Sequence, residues 1–114
     1  MAVAMLMRLP GVRLDEYDLL IADCGLDADP APGQILHVSV ETAEDVETWD
    51  VWQTRETATA FVEKRLKPVL LAHGIAVDPE VRVYPLHNLF APDVETIERI
   101  GAFSSPAVAD SAGY

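Results

Sequence analysis

From Ile35 to Gln53 the chain reads ILHVSVETAEDVETWDVWQ, with apolar and polar residues alternating on either side of an acidic turn. A period of two over such short runs predicts two strands, Ile35–Glu41 and Val46–Gln53, joined as a β-hairpin. In the first, Leu36, Val38 and Val40 share one face and His37, Ser39 and Glu41 the other; in the second, Trp49 and Val51 oppose Asp50 and Trp52. Thr54 follows as a helix cap, and Ala58, Phe61, Val62, Leu66, Val69 and Leu70 recur at helical spacing, predicting a long helix from Arg55 to His73. Pro68 removes the bond to the Lys64 carbonyl and predicts a bend or pause there. His73 suits the negative end of the helix dipole, and Gly74 supplies the stop.

Ahead of the hairpin, Ala2–Leu9 predicts a strand with apolar residues on both faces as far as Arg8, ended by Pro10 and Gly11. Leu14, Tyr17, Leu20, Ile21 and Cys24 then form one stripe of a helix over Leu14–Cys24 that stops at Gly25. The segment Leu26–Gln34, LDADPAPGQ, is a loop with two readings, a plain connector or a cover over the mouth of a pocket. Past the long helix, EVRVYPLHNLFA (Glu80–Ala91) predicts a fourth strand. It carries Val81, Val83, Pro85, His87 and Leu89 on one face and Arg82, Tyr84, Leu86, Asn88 and Phe90 on the other, and Pro85 demands an edge position or a bulge. A short helix is expected over Asp93–Ile100 and a flexible tail over 103–114.

The order β-α-β-β-α-β is the ferredoxin-like split βαβ arrangement of an α+β domain, an antiparallel sheet with both helices on one face, here spanning 1–102. That arrangement leaves one sheet face bare. Because the strands are apolar on both faces, the expectation is a homodimer that packs the two bare faces together.

At 114 residues, half of them hydrophobic, the chain is sized for one domain. A formal charge of −11 argues against nucleic acid or an anionic membrane surface as partner. Cys24 is the lone cysteine, so no intrachain disulfide forms and a reducing cytoplasm fits. The opening MAVAMLMRLPG lacks basic residues before its apolar run and is cut short by Arg8 and Pro10, so it reads neither as a signal peptide nor as a membrane span.

His37 and His87 are the candidate catalytic residues, since a neutral imidazole facing a pocket can take a proton from a phenolic or carbon acid. Each has an alternative reading as a buried histidine satisfied by a neighbouring hydrogen bond. No HxH or HxxxH spacing supports a metal, and none is expected. Tyr17, Trp49, Trp52, Phe61 and Tyr84 are candidate walls for a flat aromatic ligand, with core as the competing reading, and Arg82 and Asn88 are the polar candidates beside them. By strand parity Trp49 and Trp52 face opposite layers.

The stretches AVAMLMRLPGV, DVWQTRETATAFVEKRLKPVL and VRVYPLHNLFAP together resemble the dimeric α+β barrel superfamily, and within it the antibiotic biosynthesis monooxygenase-like domains, over roughly Ala2 to Pro92. In such domains a strand ending in an aromatic residue leads through a short polar turn into a helix, as Trp52, Gln53, Thr54 and Arg55 do here. The resemblance implies a small-molecule enzyme of the monooxygenase-like or cyclase-like kind, working on an aromatic or polyketide-like compound without a tightly bound cofactor. A non-catalytic ligand-binding or structural dimer is the alternative. Haem-degrading members resemble one another in an asparagine on strand one and a tryptophan and a histidine on the second helix; this chain lacks that asparagine and that tryptophan, which disfavours haem degradation despite His73. For the anthrone-type oxygenases, Arg82, Asn88 and Trp52 are the nearest residue types.

Overall fold

A computed structural model describes residues 1–101. The expected flexible tail over 103–114 lies outside the described residues. The elements follow as β1 (Val3–Pro10), α1 (Leu14–Cys24), β2 (Gln34–Glu41) and β3 (Asp45–Trp52), then α2 (Arg55–Phe61), a π-helical turn (Val62–Leu66) and α3 (Lys67–Ala72), and last β4 (Glu80–Pro85) and α4 (Val94–Ile100). The sheet has the order β2-β3-β1-β4, antiparallel at each pairing. This is the ferredoxin-like α+β arrangement anticipated from the order of elements.

Parity along β1 explains the layering. Val3, Met5, Met7 and Leu9 are all buried, and their β3 partners Trp52, Asp50, Thr48 and Val46 point to the same side. Over this face lie Tyr17, Leu20, Ile21 and Cys24 of α1, together with Ala58, Phe61, Val62, Leu66 and Leu70 of the long helix. Leu14, expected on the α1 stripe, is exposed at the first turn. The opposite sheet face is open, and Leu6, Val38, Val40, Trp49 and Tyr84 are exposed on it. Trp49 and Trp52 therefore divide between the layers as parity requires.

The long helix is interrupted one turn before Pro68. At the π-helical turn the Lys67 amide donates to the Val62 carbonyl, five residues back. The following α segment then begins with Pro68 in its first turn, directly after the point where the ladder changes. Gly25 and Gly74 both take the left-handed conformation expected of helix stops. His73, assigned to the helix end on dipole grounds, also sets its Nε2 2.6 Å from Asp23 Oδ2 and so links the long helix to α1.

The fourth strand is shorter than the sequence pattern suggested. β4 ends at Pro85, which has no amide to donate, and the Leu86 amide makes a last bond to the Ala2 carbonyl before the chain leaves the sheet. His87, Asn88 and Phe90 consequently lie beyond the strand and are exposed. The loop before β2 is held rather than free. Arg65 donates to the carbonyls of Cys24 and Asp29, and Leu26 and Ala31 are buried. Gly33 in this loop has φ of 84°, and a Cβ there would lie 2.5 Å from Thr57 Oγ1 at the start of α2. Among the described residues no helix is long and apolar enough to cross a membrane.

Candidate functional site

His37 lies on the helix-facing side of β2, directly opposite Asp50 of β3. The facing pair brings His37 Nδ1 to 2.6 Å from Asp50 Oδ1, and Tyr17 of α1 reaches over the sheet to set its hydroxyl 2.6 Å from His37 Nε2. The phenol and imidazole planes are inclined by only 7°. Asp50 and Tyr17 are buried, while the His37 side chain keeps 16% of its surface exposed. The imidazole is thus the one member of the three that reaches outward.

Charge decides which atoms carry the protons. An ionised carboxylate only accepts, so Nδ1–H of His37 donates to Asp50, and in the neutral ring Nε2 then accepts from the Tyr17 hydroxyl. Burial pushes the Tyr17 phenol well above its ordinary value, and the nearby negative charge of Asp50 adds to the effect, so Tyr17 stays a donor. Oδ2 of Asp50 is buried without a hydrogen-bond partner among the described residues. The chain of three can therefore hold a proton at Nδ1, receive one at Nε2 and stabilise the imidazolium that results.

A cavity of about 360 Å³ opens beside this chain, lined by His37, Gln34, Ile35 and Leu36 at the β2 end, by Asp27 of the preceding loop, and by Ile97, Glu98 and Gly101 at α4. Its size is within the range of small-molecule sites, about 300–1,000 Å³. Of the loop's two readings, the connector has the Arg65 bonds and the pocket mouth has Asp27.

The other residues singled out from sequence divide into three groups. Trp52 is fully buried, with its ring centroid 5.3 Å from that of Phe61, and the pair backs the sheet beneath α2 rather than lining the cavity. Trp49 and Arg82 meet on the open sheet face, in a separate depression of about 300 Å³ with Leu6, Arg8 and Glu47, and Tyr84 is exposed on that same face. His87 and Asn88 are exposed past β4 and are not among the residues lining the His37 cavity. His87 does not join His37, because β4 and β2 are opposite edges of the sheet with β3 and β1 between them. Asp50 is the residue that sequence reasoning missed. Its signal was its place in the alternation, since it is a carboxylate sharing a face with Trp52 and lies opposite His37 once the hairpin register is known.

Comparison with solved structures bears on the fold. A protein of unknown function from Nitrosomonas europaea superposes with a TM-score of 0.62 at 15% identity, covering 80% of this chain and 94% of that one. The cofactor-independent oxygenase SnoaB from Streptomyces nogalater superposes with a TM-score of 0.57 at 14% identity, covering 77% and 95%. A Chloroflexus aurantiacus protein proposed to be an antibiotic biosynthesis monooxygenase gives 0.54 at 14%, covering 79% and 98%. The chain has the antibiotic biosynthesis monooxygenase-like fold. No protein-family model matches the chain, and no curated protein matches it in sequence. Within the monooxygenase-like fold, Tyr17, His37 and Asp50 come from α1, β2 and β3, so the cluster forms only when the helix layer has docked on the sheet.

Proposed function

We propose that this protein is a small-molecule enzyme of the monooxygenase-like or cyclase-like kind, acting without a tightly bound cofactor on an aromatic or polyketide-like compound. One observation carries the reading, the Tyr17–His37–Asp50 chain set against a cavity of about 360 Å³. Structural likeness to SnoaB, named as a cofactor-independent oxygenase, supports the kind of chemistry. A phenolic or carbon acid that takes over the Nε2 hydrogen bond from Tyr17 loses its proton to His37, and Asp50 stabilises the imidazolium. The carbanion then closes a ring or reacts with dioxygen. In the second case a CH2 group becomes a carbonyl, one oxygen atom stays in the product and the other leaves as water.

The subunit pairs with a second copy through the open sheet face, where Leu6, Val38, Val40, Trp49 and Tyr84 present apolar surface. We place the dimer in the cytoplasm, where the buried Cys24 thiol stays reduced.

A second reading, a non-catalytic ligand-binding dimer of the accessory or stress-protein kind, draws on the fact that both ring nitrogens of His37 are already hydrogen-bonded. Oxygen uptake with an anthrone as probe separates the two. Uptake that the wild type supports and His37→Ala abolishes identifies the enzyme. Anthrone binding with neither oxygen uptake nor change in the anthrone identifies the binding protein.

A further inference from the structure

The cavity beside His37 is bordered by two carboxylates, Asp27 and Glu98, and by no lysine or arginine among its described lining residues. A third carboxylate, Asp50, stands behind the imidazole, buried and with one oxygen unpartnered. Four basic side chains are held in ion pairs: Arg8 with Asp45, Arg13 with Glu41, Arg65 with Asp29 and Lys67 with Glu63. None of these pairs borders the cavity. Between them, Ile35, Leu36 and Ile97 supply an apolar wall. A concave, partly apolar site with one sign of charge at its rim concentrates the field inside it.

We infer that this cavity selects its ligand by charge: it takes an amine-bearing ring compound, protonated at neutral pH, in preference to the matching alcohol, and excludes the matching carboxylic acid. The inference rests on the cavity being the ligand site, as proposed above. The ring lies on Ile35, Leu36 and Ile97, and the ammonium is drawn to Asp27 and Glu98. A cationic substrate also offsets the negative charge that appears when His37 removes a proton, whereas a carboxylate would add a further anion beside Asp50.

Three probes that share one ring system test this by titration calorimetry on the full chain at pH 7 and low salt: 2-naphthylmethylamine, 2-naphthalenemethanol and 2-naphthoate. The amine is expected to bind about tenfold more tightly than the naphthoate, with the alcohol between them. In Asp27→Asn/Glu98→Gln, which alters exposed side chains only, the ratio is expected to fall below about threefold while the alcohol's affinity holds. The control Glu56→Gln/Asp78→Asn makes the same change in net charge away from the cavity and is expected to keep the wild-type ratio. Equal binding of all three probes overturns charge selection and leaves the cavity as the ligand site. Loss of the ratio in the control as well overturns it in favour of attraction by the overall charge of −11. Failure of every probe to bind overturns both the inference and the cavity's role as ligand site.

Discussion

Asp50 and His37 face each other across the β2–β3 pair, with Oδ1 2.6 Å from Nδ1, and the contact makes Nε2 the imidazole nitrogen that accepts. In Asp50→Asn the amide can donate to Nδ1 instead, which moves the ring proton to Nε2 and ends acceptance from Tyr17. Nitrogen NMR is expected to show the Nδ1–H tautomer in the wild type and its loss in the variant. Turnover of a substrate should fall by about a hundredfold or more. An Asp50→Asn protein with both tautomer and turnover unchanged would remove Asp50 from the site.

Tyr17 makes a prediction at alkaline pH. Its phenol is held above the ordinary value of 10.0, first by burial and then by the charge of Asp50. The folded protein therefore binds this proton more tightly than the unfolded chain does. The associated stability is complete below pH 10, where both states are protonated, and is lost progressively as pH rises beyond it. On alkaline titration followed by phenolate absorbance, one of the three tyrosines should ionise late, together with unfolding. Tyr17→Phe should abolish that late step; an unchanged titration would show that another tyrosine is responsible.

Trp52 is fully buried against Phe61, and truncating a buried aromatic leaves a cavity that the surroundings fill only in part. Trp52→Ala should cost about 3–5 kcal/mol in urea unfolding. A loss under about 1 kcal/mol would mean that the helix layer collapses onto the gap.

Trp49 tests the open face. It is 55% exposed in the single chain, among Leu6, Val38 and Val40. Wild-type protein should sediment as a dimer with a melting temperature that rises with concentration, and Trp49→Asp should sediment as a monomer whose melting temperature does not. A monomeric wild type would mean that this face is left to water or to another partner.

Most of the architecture was legible in the alternation of side chains. Helix Leu14–Cys24 was bounded by first-turn acids and Gly25, and the hairpin by a polar turn between two runs of period two, all of them local signals. The end of β4 was harder to read. Leu86 and Leu89 extend the apolar pattern, yet the partner strand β1 runs out at Ala2, whose carbonyl takes the last bond, from the Leu86 amide. Two of the three members of the candidate site, Tyr17 and His37, were visible as residue types. Their meeting with Asp50 depends on hairpin register and on how α1 lies over the sheet, and both are set by long-range packing rather than by neighbouring residues. The π-helical turn was unreadable for a similar reason. Pro68 announced that the ladder must change but not which turn would absorb the change.

That turn has a consequence for how the chain can vary. Each helical residue advances the side chains by about 100° around the axis, so the extra residue at Val62–Leu66 sets the phase between Phe61 before it and Leu66 and Leu70 after it. It also aims Arg65 at the carbonyls of Cys24 and Asp29 on the loop that carries Asp27. Removing one residue here would swing everything downstream out of step with Phe61. The rim of the cavity is thereby geared to the winding of a helix that does not touch it.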